Sequence, residues 1–322
     1  MSNYICKVCG YNNKDIVLHQ AKEMMFGMRD VFLYFQCAAC DCLQITEFPL
    51  NIAEFYPVGY YSFLPYAGEK FNGSLAGFNR ILYEASLFRK TLFQKFLHAI
   101  LPVQKFDFLQ NLGLTKESHI LEVGCGNGNR ILYPLAELNF RNIAGCDPYI
   151  AAPITYDNKL TILKSDIFEI KGIWDLIIYD HAFEHIENPQ ENLAKVSELL
   201  NPDGICVLRI PTVPCYAWSH YKTNWVQLDA PRHYFLHSPK SIALLASRNG
   251  LKLFDIKYDS THFQFSGSER YVNNIPMVTP RPKGFKTFLK RKIKKNLYAR
   301  LAAKLNSEGR GDQAIFFIRK DI

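Results

Sequence analysis

Between residues 119 and 258 short apolar runs alternate with stretches of helical period, the rhythm of a wound α/β domain. Apolar runs at 120–123, 142–146, 161–164, 175–179 and 205–210 read as strands of a parallel sheet covered on both faces. Before the last of them, Asn188 can cap a helix and Pro189 fits its first turn. Leu193, Val196, Leu199 and Leu200 then make one apolar face, and Asn201-Pro202-Asp203-Gly204 stops it. A second helix is expected over 239–249, started by Ser238 and stopped by Gly250. Runs at 251–258 and 313–319 can close the sheet as a final hairpin. The predicted fold class is therefore α/β, with a doubly wound, mostly parallel, seven-stranded sheet.

This pattern occupies 113–322. Ahead of it, 51–112 reads as a helical connector studded with Tyr56, Tyr60, Tyr61 and Tyr66, which are expected to pack a junction. Residues 1–50 hold five of the nine cysteines. Cys6-Lys7-Val8-Cys9 and Cys37-Ala38-Ala39-Cys40 form a pair of CxxC hooks, with a strand-like run at 30–35 leading into the second. Four thiolates so spaced can surround Zn2+ tetrahedrally, so a structural zinc-ribbon-like subdomain is expected on Cys6, Cys9, Cys37 and Cys40. Cys42 competes with Cys40 for the fourth position. Four unligated thiols in a small apolar subdomain would be the plainer outcome.

Composition refines the picture in two places. Hydrophobic content of 48% and charged content of 21% are those of a globular chain. The start lacks an apolar leader core and no run is long enough to span a bilayer, so a cytoplasmic protein is expected, with Cys125, Cys146, Cys206 and Cys215 reduced. The net charge of +8 is concentrated at 283–304, a basic helical insertion in which Phe285, Phe288, Leu289, Ile293, Leu297 and Leu301 recur at helical spacing. Such an amphipathic cationic helix either docks on its own domain or touches an anionic membrane surface peripherally. Nucleic acid is not expected, because no base-stacking module accompanies the charge.

The most telling chemistry follows the first strand. Gly124-Cys125-Gly126-Asn127-Gly128 lets backbone approach a ligand without a side chain in the way. Asn129 stands where the dinucleotide fingerprint has its third glycine, and Glu122 inside the strand suits a ligand bearing positive charge. Asp147, Asp166 and Asp180 then end or follow the next three strands. This ordered series resembles class I S-adenosylmethionine-dependent methyltransferases over roughly residues 115–212. The resemblance implies a Rossmann-like fold with the cofactor held by Glu122, Gly124, Cys125 and Gly126. It also implies ribose contact by Asp147, adenine contact by Asp166 with Ile167 packing on the ring, and Asp180 and His181 where methionine moiety and acceptor meet.

A hydroxyl acceptor needs a base, and histidine has the suitable intrinsic pKa. His181, His185 and His233 are the candidates. Glu184-His185 opens the segment after the fourth strand. In the loop Leu228-Asp229-Ala230-Pro231-Arg232-His233-Tyr234-Phe235, Asp229 can orient His233. Arg232 can pair with an anionic acceptor group, or the ions can merely hold the loop closed. Gln264, Ser268 and Glu269 are expected near the pocket mouth. The stretch LDAPRHYFLHSPKS resembles a motif of bacterial methyltransferases encoded with surface-polysaccharide genes, many bearing N-terminal cysteine hooks. That resemblance implies a small-molecule acceptor, a hydroxyl of a sugar or glycan precursor. C-methylation of a keto-sugar nucleotide, or a non-catalytic zinc-bearing RNA- or protein-binding module, are the alternatives.

Overall fold

The computed structural model describes residues 4–56, 61–64 and 66–321, so Tyr60 lies outside the described residues. The chain forms two compact units. One takes the chain up to Pro57 together with Phe183–Leu193 and Leu208–Asp321; the other takes Val58–Ala182 and Ala194–Val207.

The first unit opens with the hairpin β1 (Tyr4–Ile5) and β2 (Asn12–Asn13), then β3 (His19–Lys22), β4 (Val31–Gln36) and β5 (Leu43–Ile45). The predicted strand at 30–35 is β4. It pairs antiparallel with β3 and β5 through Tyr34↔His19 and Tyr34↔Ile45, with the successive residues Tyr34 and Phe35 buried on its two faces.

The second unit carries an αα hairpin, α1 (Ala76–Phe88) and α2 (Leu92–Ile100), the latter started by a Thr91/Gln94 capping box. Its sheet comprises β6 (Ile120–Val123), β7 (Ile143–Cys146), β8 (Ile154–Thr155), β9 (Thr161–Leu163) and β10 (Trp174–Asp180), with α3 (Leu132–Glu137) after β6. β6 lies parallel between β7 and β10, and β9 extends the sheet beyond β7. The direction of winding thus reverses at β6, the switch point outside whose strand ends sheets of this kind bind ligands. All four β6 residues are buried, as a strand covered on both faces requires.

α4 (Pro189–Leu199) and β11 (Leu200–Pro211) follow, and β11 passes from one unit into the other. The rest of the first unit holds α5 (Tyr216–Tyr221), β12 (Phe235–Leu236), α6 (Pro239–Ser247), β13 (Leu251–Tyr258), α7 (Phe263–Ser266), α8 (Ser268–Val272), α9 (Phe285–Ser307) and β14 (Gln313–Lys320). β13 and β14 pair antiparallel, as expected of the final hairpin.

Three expectations need correction. The large sheet has eight strands and is mixed, in the order β13-β14-β11-β10-β6-β7-β9-β8, where seven mostly parallel strands were expected. The added strand is β8: Lys159 takes a left-handed φ of 68°, and its N–H donates to the Tyr156 carbonyl at 2.9 Å, folding Ile154 back onto Ile162. β11 begins at Leu200, where a strand was expected only from 205, so Asn201-Pro202-Asp203-Gly204, which follows the end of the helix as expected, already lies within the strand. α9 is not a segregated amphipathic helix. Its apolar residues recur every four positions, so the stripe drifts about 40° per step around a 3.6-residue helix, with lysines between. Phe285 is 80% exposed and Ile293 62%, whereas Ala302 and Leu305 near the C-terminus are buried, beside Phe265.

Candidate active site

The glycine loop is built by backbone conformation. Gly124, Gly126 and Gly128 have φ of 69°, 57° and 72°, in the left-handed region where a side chain is strained. At Gly126 crowding adds to strain, since a Cβ there would stand 2.4 Å from the Ser62 carbonyl oxygen. Asp147, buried at the end of β7, ties the loop down: its Oδ2 accepts from the Gly126 N–H and its Oδ1 from the Tyr149 N–H, both at 2.8 Å. The carboxylate keeps acceptor capacity beyond these bonds, as a ribose hydroxyl would need. Burial raises the Asp147 pKa, and the main-chain donors of Tyr149, Gly126 and Ile150 oppose that shift. Glu122 is a buried carboxylate at the end of β6. Burial first, then the carboxylates of Glu122 and Asp147, push the Cys125 thiol up, so it stays protonated beside the loop.

The other expected cofactor contacts divide. Asp166 is exposed and caps a 3-10 turn, its Oδ1 accepting from Phe168 N–H at 2.9 Å, which leaves carboxylate lone pairs for an amino group. Ile167 is only 1% exposed and belongs to the core, so it offers no surface for a ring; its neighbour Phe168 is the exposed side chain. Asp180 forms an ion pair with Arg130 at 3.0 Å, and His181 follows with a left-handed φ of 56°.

In the first unit, Glu184, His185 and His233 converge, with ligand-type atoms all within 4.8 Å of one another. The Nδ1–H of His185 donates to the Arg232 carbonyl at 2.8 Å, and that of His233 to the Gln227 carbonyl at 2.8 Å. A carbonyl partner requires the proton on Nδ1, so each ring keeps a lone pair on Nε2. His233 Nε2 lies 3.8 Å from Glu184 Oε1 and 3.9 Å from Asp229 Oδ2, beyond direct hydrogen bonding but close enough to stabilise an imidazolium. Burial lowers the pKa of both rings. His185 falls to about 3, pressed further by His233, whereas the Asp229 carboxylate and the Gln227 carbonyl oppose the fall at His233.

Two expectations for this loop change. Asp229 does not hydrogen-bond His233, because Arg232 takes both its oxygens, Nε to Oδ2 at 2.9 Å and Nη2 to Oδ1 at 2.6 Å. Arg232 is fully buried, with Nη2 also on Glu23 Oε1 at 2.9 Å and Nη1 on the Phe55 carbonyl at 3.2 Å. A guanidinium so enclosed holds the loop closed and has no face left for an anionic acceptor. Gln264 and Ser268 are likewise buried, Ser268 Oγ accepting from Val226 N–H, while Glu269 pairs with Lys294.

A family model described as a methyltransferase domain matches residues 93–256, half of the chain. The chain belongs to this family. It is an S-adenosylmethionine-dependent methyltransferase, and the reading as a non-catalytic module falls away. Among its relatives, the ubiquinone biosynthesis O-methyltransferase of Rickettsia canadensis is 24% identical over 207 residues, covering 58% of this chain and 87% of that protein. The counterpart from Maricaulis maris is 26% identical, covering 51% and 72%. The cyclopropane synthase MmaA2 of Mycobacterium tuberculosis is 16% identical, with a TM-score of 0.41 over 74% of this chain and 94% of that one.

The methyltransferase also gathers four N-terminal thiols. Cys6 Sγ lies 3.7 Å from Cys40 Sγ, and Cys9 Sγ lies 3.6 Å from Cys37 Sγ. Zn–S bonds of 2.3 Å in a tetrahedron put sulfurs about 3.8 Å apart, so the donor set fits that ion. Cys42 is outside the group, its thiol directed at the Leu43 carbonyl. Cys6 is held down to about 4, first by the Cys40 thiol, with Cys9 N–H and the Gln44 amide assisting.

Four contributors escaped the sequence reading. Ser62 and Leu64 place carbonyls over the glycine loop, accepting from Asn127 N–H (3.0 Å) and from the Asn127 amide. Arg130 had no signal beyond lying just after the glycines. Glu23 had none, because its partner Arg232 is 209 residues away.

Proposed function

We propose that this methyltransferase transfers the methyl group of S-adenosylmethionine to a hydroxyl oxygen of a small molecule, with His233 as the base. The cofactor supplies a methyl group already activated on a sulfonium. The chain's part is to hold it, align the acceptor and accept a proton. Glu122 and the Gly124–Gly128 backbone are the proposed cradle, Asp147 the ribose acceptor, Asp166 the adenine contact, and Asp180 and His181 the groups nearest the methionine end. The observation that carries the reading is the His233 tautomer: Nδ1 is committed to the Gln227 carbonyl, leaving the Nε2 lone pair between two carboxylates. Burial lowers the pKa of His233, but the Asp229 carboxylate and the Gln227 carbonyl oppose that fall, which makes it the better base. His185, with its lower proton affinity, is assigned to packing edge-on against the His233 ring, 4.8 Å between centroids.

The acceptor class is the finer question. The motif at 228–241 favours a sugar or glycan precursor, while the relatives named above are named for ubiquinone biosynthesis and support oxygen as the methylated atom. Turnover with methyl-labelled cofactor across both nucleotide sugars and ubiquinone precursors tests the proposal. An oxygen-linked methyl on a member of either set supports it. A carbon-linked methyl on a keto-sugar nucleotide moves the reaction to the C-methylation alternative, and no label in any small molecule refutes the reading. We assign Cys6, Cys9, Cys37 and Cys40 to a structural zinc.

Peripheral contact with an anionic membrane is proposed for α9, whose Phe285, Phe288 and Ile293 stand in solvent among lysines. No helix among the described residues is long and apolar enough to cross a membrane. Flotation with anionic vesicles at low salt is the expected result; no salt-sensitive association removes the proposal.

A further inference from the structure

The cysteine-bearing sheet and the His233 segment are one piece of structure. β12 begins two residues after His233 and adds to the edge of β5, with Phe235 opposite Gln44 and Leu236 opposite Leu43. The Ile45 N–H donates to the Tyr234 carbonyl at 3.0 Å. Tyr34 of β4, fully buried, donates its hydroxyl to the carbonyl of His233 itself at 2.8 Å. Just past β3, Glu23 collects the main-chain N–H groups of Phe26, Gly27 and Met28 and the guanidinium of Arg232.

The same strands carry the thiols. Cys37 and Cys40 form the turn from β4 into β5, closed by Cys37 N–H to the Cys42 carbonyl at 2.9 Å. Gln44, whose backbone faces Phe235, sends its side-chain amide to Cys6 Sγ at 3.0 Å and accepts from Lys7 N–H at 2.9 Å. Ser238, three residues after Phe235, donates its hydroxyl to the Cys40 carbonyl. The segment that presents His233 is therefore tethered on both sides to the turn that holds two of the four sulfurs.

We propose that this sheet, closed by a soft divalent ion on the four thiolates, is the positioning element for the acceptor-side imidazoles, with Tyr34 and Gln44 as positioning residues. The proposal rests on the reading of His233 as the base. A two-residue strand such as β12 cannot keep its register alone; it needs β5 as a template, and β5 needs the hook that begins it. Without the ion the β4–β5 turn loses its cross-link to Cys6 and Cys9, and His233 loses its fixed relation to the groups facing it: Asp229, Glu184, His185 and Arg232. The cofactor cradle is assembled from β6, β7 and the loops after them, none of which belongs to this sheet.

The experiment compares the full-length zinc-loaded protein, the same protein stripped by a chelator, and Tyr34→Phe, which keeps the buried ring and removes only the donor. For each, kcat across pH and the calorimetric affinity for S-adenosylmethionine are measured. In Tyr34→Phe we expect kcat to fall about tenfold, on the scale that small misplacement of a reacting group produces. Cofactor affinity should stay within about twofold, since no cradle residue changes. The acid limb of kcat should move to higher pH, because a loosened imidazole regains water and its lowered pKa rises toward the free value of about 6.5. Stripped protein should change in the same direction and further, and added zinc should restore it. If chelation unfolds the chain, Tyr34→Phe decides alone. Wild-type kcat and an unmoved acid limb in Tyr34→Phe overturn the proposal, as does a stripped, folded protein with full turnover. Failure of the underlying base reading looks different: His233→Gln would then keep its turnover, whatever Tyr34→Phe does.

Discussion

Replacing Arg232 with methionine separates two roles for the one fully buried cation of the acceptor-side loop. Arg232 stands between Asp229, with bonds of 2.9 and 2.6 Å, and Glu23, at 2.9 Å, and the Glu23 and Arg232 side chains are 0% exposed. Asp229 is held below the usual carboxylate range by Arg232 in spite of its burial. Arg232→Met fills the volume but removes the counter-charge of Glu23, which is fully buried and keeps only its main-chain donors, and of Asp229, whose side chain is 18% exposed. Removing one partner of a buried pair typically costs about 3–5 kcal/mol, because the remaining charge is left uncompensated. For a unit of this size 1 kcal/mol moves Tm by roughly 2–4 °C, so a loss of roughly 10 °C is expected. The assay is thermal unfolding with and without Glu23→Gln, which neutralises one stranded carboxylate and should restore part of the loss. Steady-state kinetics at a temperature where the variant is folded complete the test. If Tm is unchanged while the acceptor KM rises strongly, Arg232 binds an anionic acceptor and the enclosed-pair argument is wrong.

Other outcomes follow from the same geometry. His233→Gln should lower kcat by about 10²–10⁴, the usual worth of a positioned base, with cofactor affinity unchanged; turnover with labelled cofactor checks it. Gly126→Ala should be destabilising by about 1–3 kcal/mol, from the left-handed backbone and the Ser62 carbonyl together, read in urea unfolding. Metal analysis of the purified protein should find one zinc per chain, and Cys9→Ser should lose it while Cys42→Ser keeps it. Stability should decline with acid. His185 and His237 have their pKa lowered by burial to about 3, so between about pH 6.5 and pH 3 only the unfolded chain takes up those protons. Each such histidine then costs roughly 1.4 kcal/mol per pH unit, visible as a falling urea midpoint from pH 6.5 to pH 4.

Much of the second unit was legible because its signals are local. A buried parallel strand is a short apolar run, and a glycine loop after it needs positive φ at fixed spacing, so β6, β7, β9, β10 and the turn at 124–128 could be read directly. β8 was missed because two residues make no pattern; only the left-handed Lys159 reveals the turn. The acceptor side was legible in residue type but not in arrangement. Asp229, Arg232 and His233 are close in sequence, and that proximity suggested a chain of polar contacts among them. The fold keeps the Asp229–Arg232 pair, adds Glu23 to it from far away in sequence, and sends the His233 Nδ1 proton to a main-chain carbonyl. Periodicity likewise could not show that Phe235 pairs with Gln44, since register between distant strands is set by tertiary packing.

The central claim is that the glycine loop and Asp147 cradle S-adenosylmethionine. Isothermal titration of the intact protein and of Asp147→Ala with that compound addresses it most directly. The wild-type chain should bind one equivalent, and the variant, deprived of a charged hydrogen-bond acceptor worth about 1.5–3 kcal/mol, should bind at least tenfold more weakly. No binding by the wild-type protein, or equal affinity in the variant, would contradict the account.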